Sequence, residues 1–180
     1  MRAWQPADRA PFAAMNADPQ VMEHFTGLQT RETSDALVDR IEQGWADLGY
    51  GLWAVDRLDT GAFIGFIGLA RATFEAPFTP VVEVGWRLAA AHWGNGFATE
   101  GGSAALRYGF GTLGLSEIVS FTARGNRPSW RVMERLGMVH EAAMDFDHPS
   151  VPEGHPVRPH VFYRITRDRW GSSASPRACQ

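Results

Sequence analysis

The 180 residues predict a single mixed α/β domain in which one sheet carries helices on both faces. Two observations carry that prediction. Helical patterns open the chain and give way to three consecutive strands, after which strand and helix alternate to the last strand. At the centre, the passage from Val82 to Thr122 reads strand, glycine turn, helix, strand, and if its two strands are parallel neighbours the helix makes a right-handed crossover. No internal repeat, low-complexity block or charged linker interrupts this order. One domain over residues 1–168 is therefore expected, followed by a polar, flexible tail at 169–180.

After a short extended start, Asp8 to Met15 reads as a helix, and Asp18-Pro19 opens a shorter one carrying Val21, Met22 and Phe25. Leu37, Val38, Ile41, Trp45 and Leu48 then recur at helical spacing, with Thr33 or Ser34 as the N-cap and Gly49 as the stop. Leu52 to Val55 and Phe63 to Leu69 flank Asp59-Thr60-Gly61, a turn whose glycine supplies a positive φ, and so form a hairpin. Pro77 and Pro80 interrupt the chain before a third strand, Val81 to Leu88. The turn Trp93-Gly94-Asn95-Gly96 leads into a helix from about Ala98 to Phe110. Ile118 to Thr122 reads as a strand, Ser129 to Leu136 as a helix closed by Gly137, and Val161 to Ile165 as the last strand.

Composition narrows the function. Hydrophobic residues make up 44% and charged residues 21%, values of a self-folding globular chain. A net charge of −3 leaves no basic excess to neutralise a phosphate backbone, which argues against nucleic acid as a partner. The one cysteine, Cys179, cannot form an intramolecular disulfide, and its polar surroundings in the tail do not suit a nucleophile. The start, Met1 to Pro6, has no apolar signal core, and no stretch approaches the roughly 20 apolar residues of a membrane span. A cytoplasmic protein without a membrane partner is expected.

The glycine turn is the first candidate site. A turn that leaves a strand and enters a helix aims several unpaired N–H groups at one point, where the helix dipole adds positive potential. Gly94 and Gly96 let a phosphate approach the backbone closely; the same glycines also suit a tight turn with no ligand at all. The segment lacks both the dinucleotide fingerprint and the lysine of a P-loop.

What the turn resembles is the Q/R-x-x-G-x-G/A acetyl-CoA motif of the GNAT N-acetyltransferases, with Trp93-Gly94-Asn95-Gly96-Phe97-Ala98 in register and Thr99 following. Trp93 stands where the superfamily usually has Gln or Arg, and the form W-G-x-G-[FY]-A-T-E is similar to the branch of ribosomal-protein N-terminal acetyltransferases of RimJ/RimL type. Glu83 to Leu88, Asn126-Arg127-Pro128-Ser129, Val132 to Met138, Asn16 to Pro19 and Ile64 to Gly68 also resemble segments of that branch. The likeness covers nearly the whole chain to about Arg167. It implies a mostly antiparallel mixed sheet with a splayed central strand pair, a short first strand, and acetyl-CoA as co-substrate with no metal.

By that resemblance, pantetheine runs beside Trp86 and Leu88 between the splayed strands, and the pyrophosphate rests on Trp93 to Thr99. Asn126 reaches the cofactor arm through its amide. Ser129 either protonates the departing thiolate or caps the helix that it begins. Val82, Val84, Trp86 and Leu88 also read as one buried face of a strand, which is compatible with a ligand that uses only backbone.

An attacking amine must be neutral, and Glu83 is the most suggestive base because it interrupts an apolar strand where an unpaired charge is costly; a salt bridge or an exposed sheet end would explain it equally. Glu100 meets the dipole at the start of its helix. Asp145, Asp147, His148, His155, Arg158 and His160 form a polar cluster whose spacing matches no zinc pattern. The cluster reads as the acceptor-side wall, with Asp147 and Arg158 binding substrate and Arg158 holding a carboxylate. The expected activity is direct acetyl transfer in a ternary complex to a small-molecule amine or a protein N-terminus, by a monomer or homodimer. The alternative is a catalytically degenerate acetyl-CoA sensor or scaffold, and release of free CoA with and without amines discriminates the two.

Overall fold

The computed structural model describes residues 1–174. Three strands, β1 (Leu52–Asp56), β2 (Phe63–Ala72) and β3 (Val81–Leu88), form the antiparallel meander. β4 (Glu117–Ala123) pairs antiparallel with the last strand, β7 (Pro159–Thr166). Two-residue strands β5 (Val139–His140) and β6 (Phe146–Asp147) add to the far side of β7, giving seven strands in a mixed, mostly antiparallel sheet. β3 and β4 are the parallel neighbours of the crossover. Their pairing is confined to Glu83 opposite Val119, and the strands part beyond it.

Helices α1 (Arg9–Asn16), α2 (Pro19–Met22) and α3 (Arg31–Leu48) cover one face of the meander. Alternation along the strands sends Phe66 of β2 to this side, where it packs with Phe12, Met15, Val38 and Ile41. α4 (Phe97–Gly111) and α5 (Arg127–Arg135) cover the other face. There Leu69 and Val84 join Leu106, Met133, Ile118 and Ile165 in one core that spans both halves of the sheet. α4 sits so close to the strands that a Cβ on Gly101 would fall 2.4 Å from Ile67, and one on Gly109 would fall 2.6 Å from Ile118.

Three expectations need correction. α3 begins at Arg31 with Thr30 as its cap, Thr30 Oγ1 accepting from the Thr33 N–H at 3.3 Å. Ser34, one of the two expected caps, is instead fully buried and accepts a hydrogen bond from Asn16 Nδ2. α5 begins at Arg127, so its cap is Asn126, whose Oδ1 accepts from the Ser129 N–H; Ser129 lies inside the first turn. Residues from 169 on do not all form a tail: α6 (Arg167–Ala174) follows β7, because Trp170 has an apolar surface to cover, its ring 6.1 Å from that of Phe110. Residues 175–180, with Cys179, lie outside the described residues. The short first strand is a single bridge in which Arg2 and Ala54 exchange both backbone hydrogen bonds.

Candidate active site

Two cavities of about 370 and 390 Å³ meet where β3 and β4 part, sharing His24, Phe25, Trp86, Arg87, Asn126 and Ser129 as walls. The first opens toward the glycine turn and the second toward β6 and β7. Their junction is a gap in the sheet, so backbone groups of β3 there face a cavity in place of a neighbouring strand.

The turn leaves its backbone open to the first cavity. Gly94 and Gly96 adopt φ of +78° and +84°, a region that side chains avoid, and a Cβ at either would meet nothing within 4 Å. Gly96 is also the N-cap of α4, so the free N–H groups of the helix start point to the same place. The Trp93 indole donates to the Leu88 carbonyl at 2.8 Å, tying the turn to the end of β3. Trp93, Gly94, Gly96, Phe97, Ala98 and Thr99 all line the first cavity. Asn95 does not, because its amide folds back onto the carbonyls of His92 and Trp93.

α5 supplies the opposite wall. Asn126 Nδ2 donates to Thr122 Oγ1 at 3.0 Å while its Oδ1 caps the helix, so both ends of the amide already have protein partners. This fixes Ser129, whose Oγ accepts from the Trp86 indole at 3.3 Å and faces both cavities. Arg131 and Arg135, one helical turn apart, also line the first cavity and have no carboxylate partner among the described residues. Sequence reasoning missed both; two arginines at i and i+4 on the helix that follows the asparagine cap were the available signal.

The second cavity contains the unpaired carboxyl. Glu83 is half-buried and lines the cavity, and it makes no side-chain hydrogen bond or ion pair among the described residues. Burial pushes its carboxyl up to about 7. Around it stand Phe66, Phe121, His148 and His160. Burial, aided by the neighbouring His160, lowers His148 to about 4, and burial lowers His160 as well, so both imidazoles are neutral near pH 7. Asp147 and Arg158 line neither cavity. Arg158 is engaged elsewhere, with Asp147 at 3.5 Å and the Val151 carbonyl at 2.8 Å. Asp145 likewise serves the fold by accepting from His140 and from the Phe162 N–H. Glu100 is exposed in the first turn of α4 and lines neither cavity.

Beyond this geometry, residues 1–139 match the acetyltransferase (GNAT) domain family. The chain belongs to the GNAT acetyltransferases. Among relatives of this acetyltransferase, the uncharacterized protein YkkB of Bacillus subtilis is 32% identical over 139 residues, covering 77% of this chain and 80% of YkkB. The FsC-acetyl coenzyme A-N(2)-transacetylase of Aspergillus fumigatus is 35% identical over 130 residues, covering 68% of this chain and 52% of that one. An acetyltransferase structure from Agrobacterium tumefaciens superposes with a TM-score of 0.72 at 28% identity, covering 91% of this chain and 88% of its own. The acetyltransferase is thus an enzyme of acetyl-CoA-dependent N-acetylation. Among the described residues, no helix is long and apolar enough to cross a membrane.

Proposed function

We propose that the two cavities are the halves of one active site, the first for acetyl-CoA and the second for a primary amine, and that acetyl passes directly between them in a ternary complex. The observation that carries this reading is the lapse of pairing between β3 and β4 beside the glycine turn. Gly94 and Gly96 leave room for a pyrophosphate against the N-terminus of α4, and Arg131 and Arg135 add positive charge at the same mouth. The free edge of β3 at Trp86 to Leu88 offers its backbone to the amide-rich arm and to the thioester oxygen.

Glu83 takes the proton of the amine, directly or through a water, as the nitrogen bonds to the acetyl carbon and the C–S bond breaks. Its elevated pKa suits a base working near neutral pH. Ser129 Oγ, held by the Trp86 indole, gives a proton to the departing thiolate. The likeness of the glycine turn to the RimJ/RimL branch supports an α-amine as acceptor, since an α-amine near pKa 8 needs less help than a lysine.

Saturating acetyl-CoA should raise the melting temperature by mass action, and amines should release free CoA well above the rate of water alone. Absence of a melting shift would remove the cofactor half of this reading. A shift without amine-dependent release would turn the protein into a binder.

A further inference from the structure

Glu83, Gly85 and Arg87 alternate with Val84, Trp86 and Leu88 along β3 and therefore share the face turned toward α1 and α2. Arg87 is unusual there. Its Nη1 donates to Asn16 Oδ1 at 2.7 Å, and the fully buried Asn16 is itself held by Ser34. The guanidinium lies 4.1 Å from the centre of the Phe25 ring and 5.6 Å from that of Phe66. Nε is buried without an acceptor, and no carboxylate pairs with the group among the described residues. A half-buried cation with neutral partners and a buried, orphaned donor is costly unless a ligand completes it. Arg87 lines both cavities at their junction, so a ligand can reach it.

Four residue steps along the strand take Glu83 to Arg87, about 13 Å between their Cα atoms, with Gly85 midway. A Cβ at Gly85 would meet nothing within 4 Å, so the strand between the two charged groups is open. One end of this face can accept a proton and the other can hold an anion. Glu83 is the one carboxylate that the described residues contribute to the second cavity, which is a poor setting for a polycation. The other walls include the apolar Phe66, Phe121, Val151 and Val157 and the half-buried, neutral His148 and His160.

Resting on the acetyl-transfer reading above, we propose that Arg87 binds a carboxylate on the acceptor, and that the substrates are amino acids or related amino carboxylates with an apolar side chain. The amine then lies over Gly85 on the Glu83 side, and the side chain points toward Phe121 and His148. A peptide N-terminus, whose α-carboxylate has become an amide, would leave Arg87 unpaired.

The test compares matched acceptors by CoA release: L-phenylalanine and L-leucine, their amides, the corresponding decarboxylated amines, a peptide beginning with phenylalanine, and spermidine. The carboxylates should exceed their amides by about 10- to 100-fold in kcat/KM, the scale of a lost charge-assisted hydrogen bond. Arg87→Met should collapse that ratio mainly through KM while the acetyl-CoA melting shift persists, and Arg87→Lys should retain part of it. If Arg87→Met does not fold, the wild-type ratios and Arg87→Lys still decide. Equal or better turnover of amides, peptide or spermidine overturns the proposal, as does a lack of turnover on every carboxylate. Those outcomes leave the acetyl-CoA site standing if the melting shift is present; loss of the shift itself removes the broader reading instead.

Discussion

Glu83 owes its properties to the strand that holds it. Val82 and Val84 turn to the α4 and α5 side of β3, so the residue between them is directed to the opposite face, into the second cavity, where no carboxylate-binding cation pairs with it among the described residues. Glu83→Gln keeps the size but not the basicity. Acetyl-CoA binding should survive and turnover at about pH 7 should fall by about 10²–10⁴-fold, the usual worth of general-base assistance. The wild-type rate should climb as the carboxyl ionises around pH 7, whereas the variant's loss should shrink at higher pH, where more amine arrives neutral. A pH–rate profile of both proteins checks this, and near-wild-type turnover of the variant at neutral pH would return Glu83 to a structural role. Glu83 was legible in the sequence because a charge within Val81 to Val84 breaks an apolar run. Arg87 was not, since its significance lies in what fails to surround it. Arg158 misled for the converse reason: sequence displays a cation near a polar cluster but not the Asp147 and Val151 contacts that occupy it.

Among the elements, the turn before α4 makes the most direct demand on side-chain size. Gly96→Glu puts a carboxylate where the N-terminus of α4 faces the first cavity, while the open space around the Cβ position leaves the core undisturbed. Acetyl-CoA affinity should drop by more than about tenfold through bulk and like-charge repulsion. The left-handed φ should cost the fold only about 1 kcal/mol. Isothermal titration with acetyl-CoA and a ligand-free melt separate the two effects, and unchanged affinity would move the phosphate site elsewhere. The long strands and α4 were legible because their patterns run for five residues or more with glycine or proline at the ends. β5 and β6 were not: two residues carry no periodicity, and both exist because β7 offers them an edge. The helix starts of α3 and α5 slipped because Arg31, Glu32, Arg127 and Pro128 bury no apolar side chain, so the apolar pattern begins one turn late.

At the scale of the molecule, two partly desolvated groups give stability opposite dependences on pH. The folded Glu83 binds its proton up to about pH 7, against 4.5 for an ordinary glutamate. Its contribution to stability is therefore complete below about pH 4.5 and is lost as pH rises through 7, at most on the order of 3 kcal/mol. His148 is displaced from 6.5 down to about 4, so the unfolded chain takes that proton first and stability falls as pH drops from 6.5 toward 4. Glu83→Gln removes only the first slope. The variant should melt higher than wild type above about pH 7, and the difference should fade toward about pH 4.5, as thermal melts across that range would record. A difference that does not vary with pH would mean that the carboxyl is hydrated or paired in solution.

The single bridge between β3 and β4 has a further consequence. The two parts of the sheet come from separate stretches of chain, 52–88 and 117–166, each held together by antiparallel pairs and joined to the other by that one bridge. A flexible arm carrying amide groups, laid in that gap, hydrogen-bonds as a peptide would. On the acetyl-transfer reading the co-substrate is in effect an eighth strand, and the protein without it is a sheet left one strand short. Affinity and cooperativity of folding then draw on the same hydrogen bonds, which ties how tightly the enzyme holds its co-substrate to how firmly its two halves hold each other.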